Sequence, residues 1–199
     1  MRKPKLRELG EALRSFFSPP VTTDYPFTPY TPVPQYRGRP HYHEEDCVGC
    51  GACVQVCPAG ALELHDDPVT GRRRFTIRYT HCIQCGQCEE KCLTAKGIRL
   101  ASEPIPPVFT REEEKETIEK ELVRCEACGQ FFACRDHLRW LVKRLGPLAY
   151  GHPTLLLVRE EEWQVLPAVG EKGEARREDL FLLLCPSCRH RVVVRDVFS

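Results

Sequence analysis

The sequence CVGCGACVQVCP occupies residues 47–58, and CIQCGQCEEKCL occupies residues 82–93. Both stretches carry four cysteines at the same spacing, with two residues between each of the first three and three residues before the fourth. Thiolates are soft, charged ligands, and four of them hold an iron–sulfur cluster. The doubled pattern therefore predicts two clusters, and it determines the expected fold of the middle of the chain.

The spacing also predicts which cysteines share a cluster. In bacterial runs of this kind, three closely spaced cysteines bind one [4Fe–4S] cluster and the fourth binds the other. The expected ligands are Cys47, Cys50, Cys53 and Cys92 for the first cluster, and Cys82, Cys85, Cys88 and Cys57 for the second. Two zinc sites or a redox-inert structural cluster are the alternatives. Structural zinc favours four ligands in paired sets, so eight cysteines in this order argue against zinc.

The two runs differ at one position. Pro58 follows the fourth cysteine of the first run, whereas Leu93 follows that of the second. Because proline fixes the direction of the chain, its loss is expected to change the local packing while the cysteine still binds.

Thirteen cysteines are many for a chain in which we expect neither a secretory signal nor a run of about 18 apolar residues. In a reducing compartment such repeats hold metal more often than they form disulfides. The 29 basic and 28 acidic residues nearly cancel, so overall charge favours neither nucleic acid nor membrane.

The beginning of the chain has two parts of distinct character. Residues 3–17 repeat leucine and phenylalanine at helical spacing, which predicts an amphipathic helix that packs on its own domain, a partner or a membrane surface. Residues 19–40 contain seven prolines together with several aromatic residues. This composition predicts an extended arm that lies along a neighbouring subunit.

Further elements are predicted from periodicity. Residues 61–80 read as strand, turn and strand, and each cysteine run should lead into a short helix. Prolines after residue 103 mark a boundary before a charged segment that we expect to be helical up to residue 124. A helix is predicted over residues 136–145, and strands over residues 154–158 and 191–194.

A third cysteine set follows in the last part of the chain. Cys125, Cys128, Cys185 and Cys188 form two CxxC pairs separated by 56 residues. Four thiolates suit a closed tetrahedral Zn²⁺ site with a structural role. Iron of the rubredoxin type is the second choice, and two unrelated reduced pairs are the third interpretation.

Other cysteine and histidine residues lie near these sets. Cys134 has no matching partner and is expected to be a small buried residue. His137 is expected to be an ordinary helix residue. His41, His43 and His81 lie near the cysteine runs, and a pH-dependent effect on the cluster potential is the second interpretation for these three.

The motifs resemble a known family. The stretch from YRGRP at residue 36 through both cysteine runs is similar to the two-cluster ferredoxin-like subunit (subunit I) of respiratory complex I. CEACGQFF and the later CPSCRHR are similar to the C-terminal extension of the corresponding subunit of formate hydrogenlyase and related membrane-bound group 4 [NiFe] hydrogenases. Residues 147–180 fit neither.

The resemblance implies an α+β fold and an electron-transfer role. We expect a bacterial-type 2[4Fe–4S] ferredoxin-like domain plus a small zinc-ribbon-like domain. The expected segments are the amphipathic helix (1–18), the Pro-rich arm (19–45), the ferredoxin domain (46–102), a linker with a charged helix (103–124) and the four-cysteine domain (125–199). No pattern for substrate chemistry was found, so the chain is expected to be no enzyme by itself.

The resemblance also implies partners and a location. They are the other subunits of a hydrogenase or complex I-like assembly, especially the neighbouring cluster-bearing small subunit. The N-terminal helix would reach the membrane arm or surface, and the location would be peripheral on the cytoplasmic side of the cell membrane. A free soluble ferredoxin is the first alternative. A nucleic-acid-binding protein with structural clusters is the second, suggested by the basic residues 189–195 but opposed by the net charge of +1.

Overall fold

The computed structural model describes residues 6–20, 22, 24, 27–28, 31–105, 107, 110, 114–162 and 182–198. The α-helices of this part are α1 (Leu6–Phe17), α2 (Ala52–Gln55), α3 (Gln87–Glu90), α4 (Arg135–Leu145), α5 (Pro153–Glu162) and α6 (Pro186–Phe198). The β-strands are β1 (Pro40–Tyr42), β2 (Leu62–Asp67), β3 (Arg72–Arg78), β4 (Ile98–Leu100), β5 (Lys115–Arg124) and β6 (Phe131–Cys134). Short 3₁₀ turns cover Tyr79–His81 and Gly146–Gly151.

The strands form two antiparallel sheets. β1 pairs with β4, which joins the segment before the first cysteine run to the segment after the second. The other sheet has the order β2-β3-β5-β6, so β3 is hydrogen-bonded to strands on both sides. In this sheet Phe75 lies between Leu64 and Ile118. The sheet is therefore continuous from the cysteine-run region into the last part of the chain.

The predicted strand, turn and strand between the two runs is confirmed as β2 and β3. The turn follows Asp67, whose carboxylate accepts hydrogen bonds from the Val69 N–H and the Thr70 hydroxyl. Such side-chain bonds stabilise a tight reversal without help from the rest of the protein. Phe75 and Ile77 alternate inward on β3 and are 1% and 0% exposed, so this hairpin supplies the centre of the first core.

The two cysteine runs adopt the same backbone conformation. Gly49 and Gln84, at equivalent positions, have φ angles of 72° and 54°. Gly60 and Ala95, again equivalent, have φ angles of 60° and 58°. Left-handed backbone is unfavourable for residues other than glycine, so the second run retains the shape of the first at a conformational cost.

The prediction that the charged segment before residue 124 is helical is wrong, because Lys115–Arg124 is the strand β5. Its alternate residues Ile118, Lys120 and Leu122 are buried on one face, and its backbone pairs with β3 along the whole length of that strand. The alternation of buried and exposed residues is obscured in the sequence by the many Glu and Lys residues, which favour a helix. Pairing with β3 outweighs the helix propensity of those residues.

The strands predicted over residues 154–158 and 191–194 are also wrong. Residues 154–158 lie in α5, where Leu155 and Val158 are buried against α4. Residues 191–194 lie in α6, and Val193 is 51% exposed there. Short continuous apolar runs do not distinguish a strand from a helix, and here the tertiary contacts decide.

Other predicted helices are confirmed. α2 lies within the first cysteine run and α3 within the second, each shortly before the fourth cysteine of its run, and α4 ends at Gly146, whose φ is 55°. α1 is present as well, but no residue of it is buried, and its apolar stripe, which includes Leu6, Phe16 and Phe17, is exposed. Its apolar face therefore makes no core contact within the described chain.

The end of the Pro-rich arm is tightly fixed. A side chain at Gly38 would collide with the carbonyl oxygens of Ala101 and Glu103. The Arg39 N–H donates to the Glu103 carbonyl, and the Ala101 N–H donates to that of Arg39. The chain thus enters β1 in close contact with the segment that follows β4. Part of the arm, including Tyr25 and Tyr30, lies outside the described residues.

Among the described residues, no helix combines the length and the apolar character needed to cross a membrane. The predicted segment boundaries at residues 18, 45, 102 and 124 stay predictions.

The equivalence of Gly60 and Ala95 can be tested by exchange. No atom lies within 4 Å of the place that a Cβ on Gly60 would take, so Gly60→Ala adds only left-handed strain. We expect Gly60→Ala to lower the free energy of unfolding by roughly 1 kcal/mol. Ala95→Gly should leave it unchanged or raise it by up to about 1 kcal/mol. Anaerobic denaturant unfolding of both variants checks this, and a stabilised Gly60→Ala would contradict it.

Candidate functional site

The first cavity of the cysteine-run region is lined by four thiols from both runs. Cys47 and Cys50 come from the loop that leads into α2, Cys53 lies in α2 itself, and Cys92 comes from the end of the second run. Tyr42, Phe75 and Ile98 complete its wall. These are the four cysteines that the spacing assigns to the first cluster.

A second cavity has the complementary composition. It is lined by Cys82, Cys85 and Cys88 from the second run and by Cys57 from the end of the first. Leu62, Ile77 and Leu100 are among the apolar residues around it. Each cavity is therefore closed by the last cysteine of the other run, which is the arrangement that crossed ligation requires.

Hydrogen-bond donors point at the sulfurs of both groups. The N–H groups of Gln84 and Ala61 donate to the Sγ atoms of Cys82 and Cys57 at 3.4 and 3.3 Å. The Thr94 hydroxyl lies 3.5 Å from the Cys92 Sγ, and the Tyr42 hydroxyl lies 3.8 Å from the Cys53 Sγ. Such donors stabilise negative charge on sulfur and influence the potential of a bound cluster.

The thiols are largely removed from water. Burial raises the pKa of Cys53 to about 12 and that of Cys88 to about 11, and it also raises the pKa of Cys47 and Cys82. Burial acts in the same direction on Cys92, but hydrogen bonds from Thr94 and from backbone N–H groups outweigh it and lower the pKa. Most of these thiols would thus be protonated without metal, and binding a cluster would release protons.

The donor sets fit two iron–sulfur clusters. Each group offers four soft thiol ligands around an apolar cavity, without a carboxylate or imidazole among the residues that line it. The converging N–H groups supply the bonds that cluster sulfurs and thiolates accept. The residues present are therefore those that a [4Fe–4S] cluster requires.

The third cysteine set is brought together in a separate place. Cys125 and Cys128 lie in the turn between β5 and β6, and Cys185 and Cys188 lie at the start of α6. Their four Sγ atoms all lie within 4.8 Å of one another, and those of Cys128 and Cys185 are 3.9 Å apart. Ligands about 2.3 Å from a tetrahedral ion are separated by about 3.8 Å, so the set fits one metal ion.

Local donors support thiolates in this set. Burial raises the pKa of Cys125, but backbone N–H groups of Cys185, Cys128 and Ala127 outweigh it and lower the pKa to about 6. Arg191 donates to the Cys188 Sγ at 3.1 Å. A bound cation would find a partly ionised, hydrogen-bonded ligand set.

The basic patch that suggested nucleic-acid binding is partly turned inward. Arg189 is 7% exposed, and its guanidinium donates to the Leu182 carbonyl at 2.8 Å. Arg191 is engaged with Cys188. These two side chains thus form hydrogen bonds within the region around the third cysteine set.

Cys134 is buried, as predicted, with 0% exposure. Its Sγ would lie 2.6 Å from a Cβ on Gly49, so it packs directly under the first cysteine loop. Burial raises its pKa to about 11. It lines neither of the two cavities described above.

The four histidines that lie near the cysteine sets in the sequence occupy different settings. His41 Nδ1 lies 2.7 Å from Glu116 Oε2, which also accepts from the Tyr79 hydroxyl. The His43 carbonyl accepts from the Cys47 N–H, and His81 is exposed in the turn before Cys82. His137 is half-buried on α4, where burial, followed by the charge of Arg73, lowers its pKa.

Three charged residues near the site were missed in the sequence. The Glu116 carboxylate accepts hydrogen bonds from the Tyr42 N–H and from the Tyr79 hydroxyl. The Arg73 guanidinium donates to the Gly49 carbonyl in the first cysteine loop, and the Lys120 Nζ donates to the Glu44 carbonyl just before that loop. The alternation Ile118, Lys120, Leu122 could have placed Lys120 on an inward strand face, but nothing local distinguishes Arg73 from its arginine neighbours.

Comparisons with known proteins agree with this geometry. The family model described as a 4Fe–4S dicluster domain matches residues 27–61 and 46–96. Formate hydrogenlyase subunit 6 of Escherichia coli is 34% identical over 125 residues, which cover 63% of this chain and 69% of that protein. NADH-quinone oxidoreductase subunit I 2 of Geobacter metallireducens is 32% identical over 100 residues, which cover 46% of this chain and 76% of that protein.

Two further matches cover smaller shares of the proteins that they match. NAD(P)H-quinone oxidoreductase subunit I of Gloeobacter violaceus is 33% identical over 81 residues, and the chain spans 39% of that relative. A chain of the membrane-bound sulfane sulfur reductase, an archaeal respiratory membrane complex, is 28% identical. The match covers 57% of this chain and 61% of that one with a TM-score of 0.36, so it carries no argument about the fold.

Crossed ligation predicts that mutation of the last cysteine of one run removes the cluster held mainly by the other run. Cys57→Ala should destroy the cluster whose other ligands lie in the second run, and Cys92→Ala should destroy the cluster of the first run. Iron content would fall by about half in each variant, and Mössbauer or EPR spectra of the two would show different surviving clusters. Cys134→Ala, outside both groups, is the control and should keep the full iron content. Identical spectra from both ligand variants would refute the assignment.

Removal of metal from the third set should loosen its lobe. We expect a chelator, or Cys125→Ser, to abolish hydrogen-exchange protection in α6 and around residues 182–185, since the metal joins α6 to the β5–β6 turn. Thr110→Ser, at an exposed position outside this set, serves as the control variant. Retained protection after verified metal loss would contradict a structural role.

Proposed function

The chain belongs to the family of iron–sulfur subunits that includes formate hydrogenlyase subunit 6, and from this we propose that it relays electrons inside a membrane-associated multisubunit oxidoreductase. Two [4Fe–4S] clusters would carry the electrons. The single observation that carries the proposal is the pair of cavities, each lined by three cysteines of one run and the last cysteine of the other.

The protein's own residues would bind, shield and tune the clusters. The crossed cysteines Cys57 and Cys92 would tie the two centres together. Phe75 and Ile77, nearly fully buried, would keep water from the inner sides of the cavities. Backbone N–H groups and the hydroxyls of Tyr42 and Thr94 would stabilise charge on sulfur. When bound, each cluster would accept one electron and pass it on.

The chain would not catalyse a reaction by itself. No charged side chain lines either cysteine cavity in the described part of the chain, and both cavities are small and apolar. Such walls suit an electron carrier and offer nothing to orient or protonate a substrate. Catalysis would therefore belong to other subunits of a hydrogenase or complex I-like assembly.

The exposed face of α1 and the Pro-rich arm would be assembly elements. Leu6 is 87% exposed and Phe16 is 82% exposed, so this helix offers an apolar stripe to another surface. We assign the stripe to the membrane arm or membrane surface and the arm to the neighbouring cluster-bearing subunit. The chain would then lie peripherally on the cytoplasmic side of the cell membrane.

The third cysteine set would hold a structural Zn²⁺. The spacing of its Sγ atoms and its closed set of four thiols support zinc, and iron is the alternative that the same ligands would accept. No position would remain open for a substrate.

Cofactor content and co-purification test this function together. The anaerobically purified protein should carry about eight iron and eight acid-labile sulfide per chain, with one zinc, and should show EPR signals of two coupled clusters after reduction with dithionite. A gentle detergent pull-down should recover subunits with nickel, flavin or molybdenum. A chain with zinc in place of iron in the first eight thiols would overturn the proposal, and a monomer with two clusters would favour the free ferredoxin.

A further inference from the structure

Lys120 is a buried lysine under the loop that carries the first cysteine group. It lies on β5 opposite Arg73 of β3, and it is 8% exposed. Its Nζ donates to the Glu44 carbonyl at 2.5 Å, and its Cβ would lie 3.3 Å from a Cβ on Gly49. Lysine is rarely buried, because its charge loses hydration. Its position against the residues that flank Cys47 therefore requires a physical reason.

The charge of Lys120 is only loosely compensated. Its carboxylate contact is Asp136 of α4, at 3.4 Å, and Asp136 is 43% exposed and also lies 3.8 Å from Arg139. Arg73 provides the contrast, since it forms two bonds of 2.6 and 2.8 Å with Asp66. The positive charge that remains beside the first loop is therefore mainly that of Lys120.

The acidic residues of the groove above Lys120 face solvent. The groove above it is lined by Tyr42, His43 and the exposed acidic stretch 44–46. Exposed carboxylates are screened by water and salt within about 8 Å. A buried ammonium group is screened much less, so its effect on a neighbouring buried centre is larger.

The contacts of Lys120 lie on both sides of Cys47. Its Nζ bonds to the carbonyl of Glu44, three residues before Cys47, and its Cβ packs against Gly49, two residues after it. A positive charge held this close to the loop stabilises negative charge on the centre that the loop carries.

We propose that Lys120 is a positioning residue that holds the first cysteine loop through the Glu44 carbonyl and raises the reduction potential of the first cluster relative to a neutral residue at the same place. This inference rests on the proposed function. Reduction transfers one electron from a donor such as dithionite to the first centre, and no bond is made or broken. The added negative charge is stabilised by the adjacent ammonium group, so reduction is favoured there.

An EPR-monitored redox titration of the whole protein tests the proposal. Lys120→Met keeps the length of the side chain and removes its charge. At a fixed potential we expect the ratio of reduced to oxidised first cluster to fall about tenfold, a shift of about 59 mV for a one-electron couple. The second cluster should keep its midpoint. The signals are assigned with the Cys57→Ala and Cys92→Ala variants.

Three further variants make the result decisive. Lys120→Arg should retain the midpoint, and Arg74→Gln, on the opposite face of the sheet and paired with Glu119, should change neither cluster. Asp136→Asn removes the loose counter-charge and should shift the first midpoint upward. A merely structural lysine would not produce opposite shifts in Lys120→Met and Asp136→Asn.

The outcomes separate this inference from the proposed function. Two clusters with an unchanged first midpoint in Lys120→Met would overturn the role of Lys120 and leave electron transfer standing. If Lys120→Met fails to retain the first cluster, an unchanged or lowered midpoint in Asp136→Asn overturns the role instead. Absence of both clusters from the wild-type protein would overturn the proposed function itself.

Discussion

The exchange of one cysteine between the two runs is the constraint on which the cysteine-run region depends. Cys92 reaches the cavity of the first run, and Cys57 reaches that of the second. Neither cavity can be completed unless the β2–β3 hairpin brings the ends of both runs together. Burial of Phe75 and Ile77 in that hairpin supplies the apolar contact that keeps the runs in place.

Much of this arrangement could be predicted because its determinants are local. The spacing of cysteines, the turn after Asp67 and the periodicity of α1 and α4 all act over a few residues. Wrong predictions came where distant pairing decides the structure. For β5 the many Glu and Lys residues favour a helix, and the alternation of Ile118, Lys120 and Leu122 does not identify β3 as the pairing partner. The apolar runs in α5 and α6 were misread for the same reason, since their partners lie elsewhere in the chain.

The structural role of Lys120 depends on β5 being a strand. A lysine on a solvated helix would interact with water, whereas on β5 Lys120 faces the loop before Cys47. Five residues further on, the chain reaches Cys125 and the third metal group. The hairpin of β5 and β6 thus has the four-thiol set at its turn and Lys120 and Cys134 near the first cavity. A metal at the turn would stabilise the strand register that places those two side chains.

The tight packing at Gly38 has a consequence for assembly. Because the carbonyls of Ala101 and Glu103 leave no room there for even a methyl group, the arm must leave the body of the protein at one fixed point. Pro40, two residues later, already lines the second cavity. Any subunit that binds the arm close to this point would therefore lie at a fixed distance from that cavity. The rate of electron tunnelling between proteins falls steeply with distance. Gly38 would therefore help to set the rate of electron transfer across such an interface.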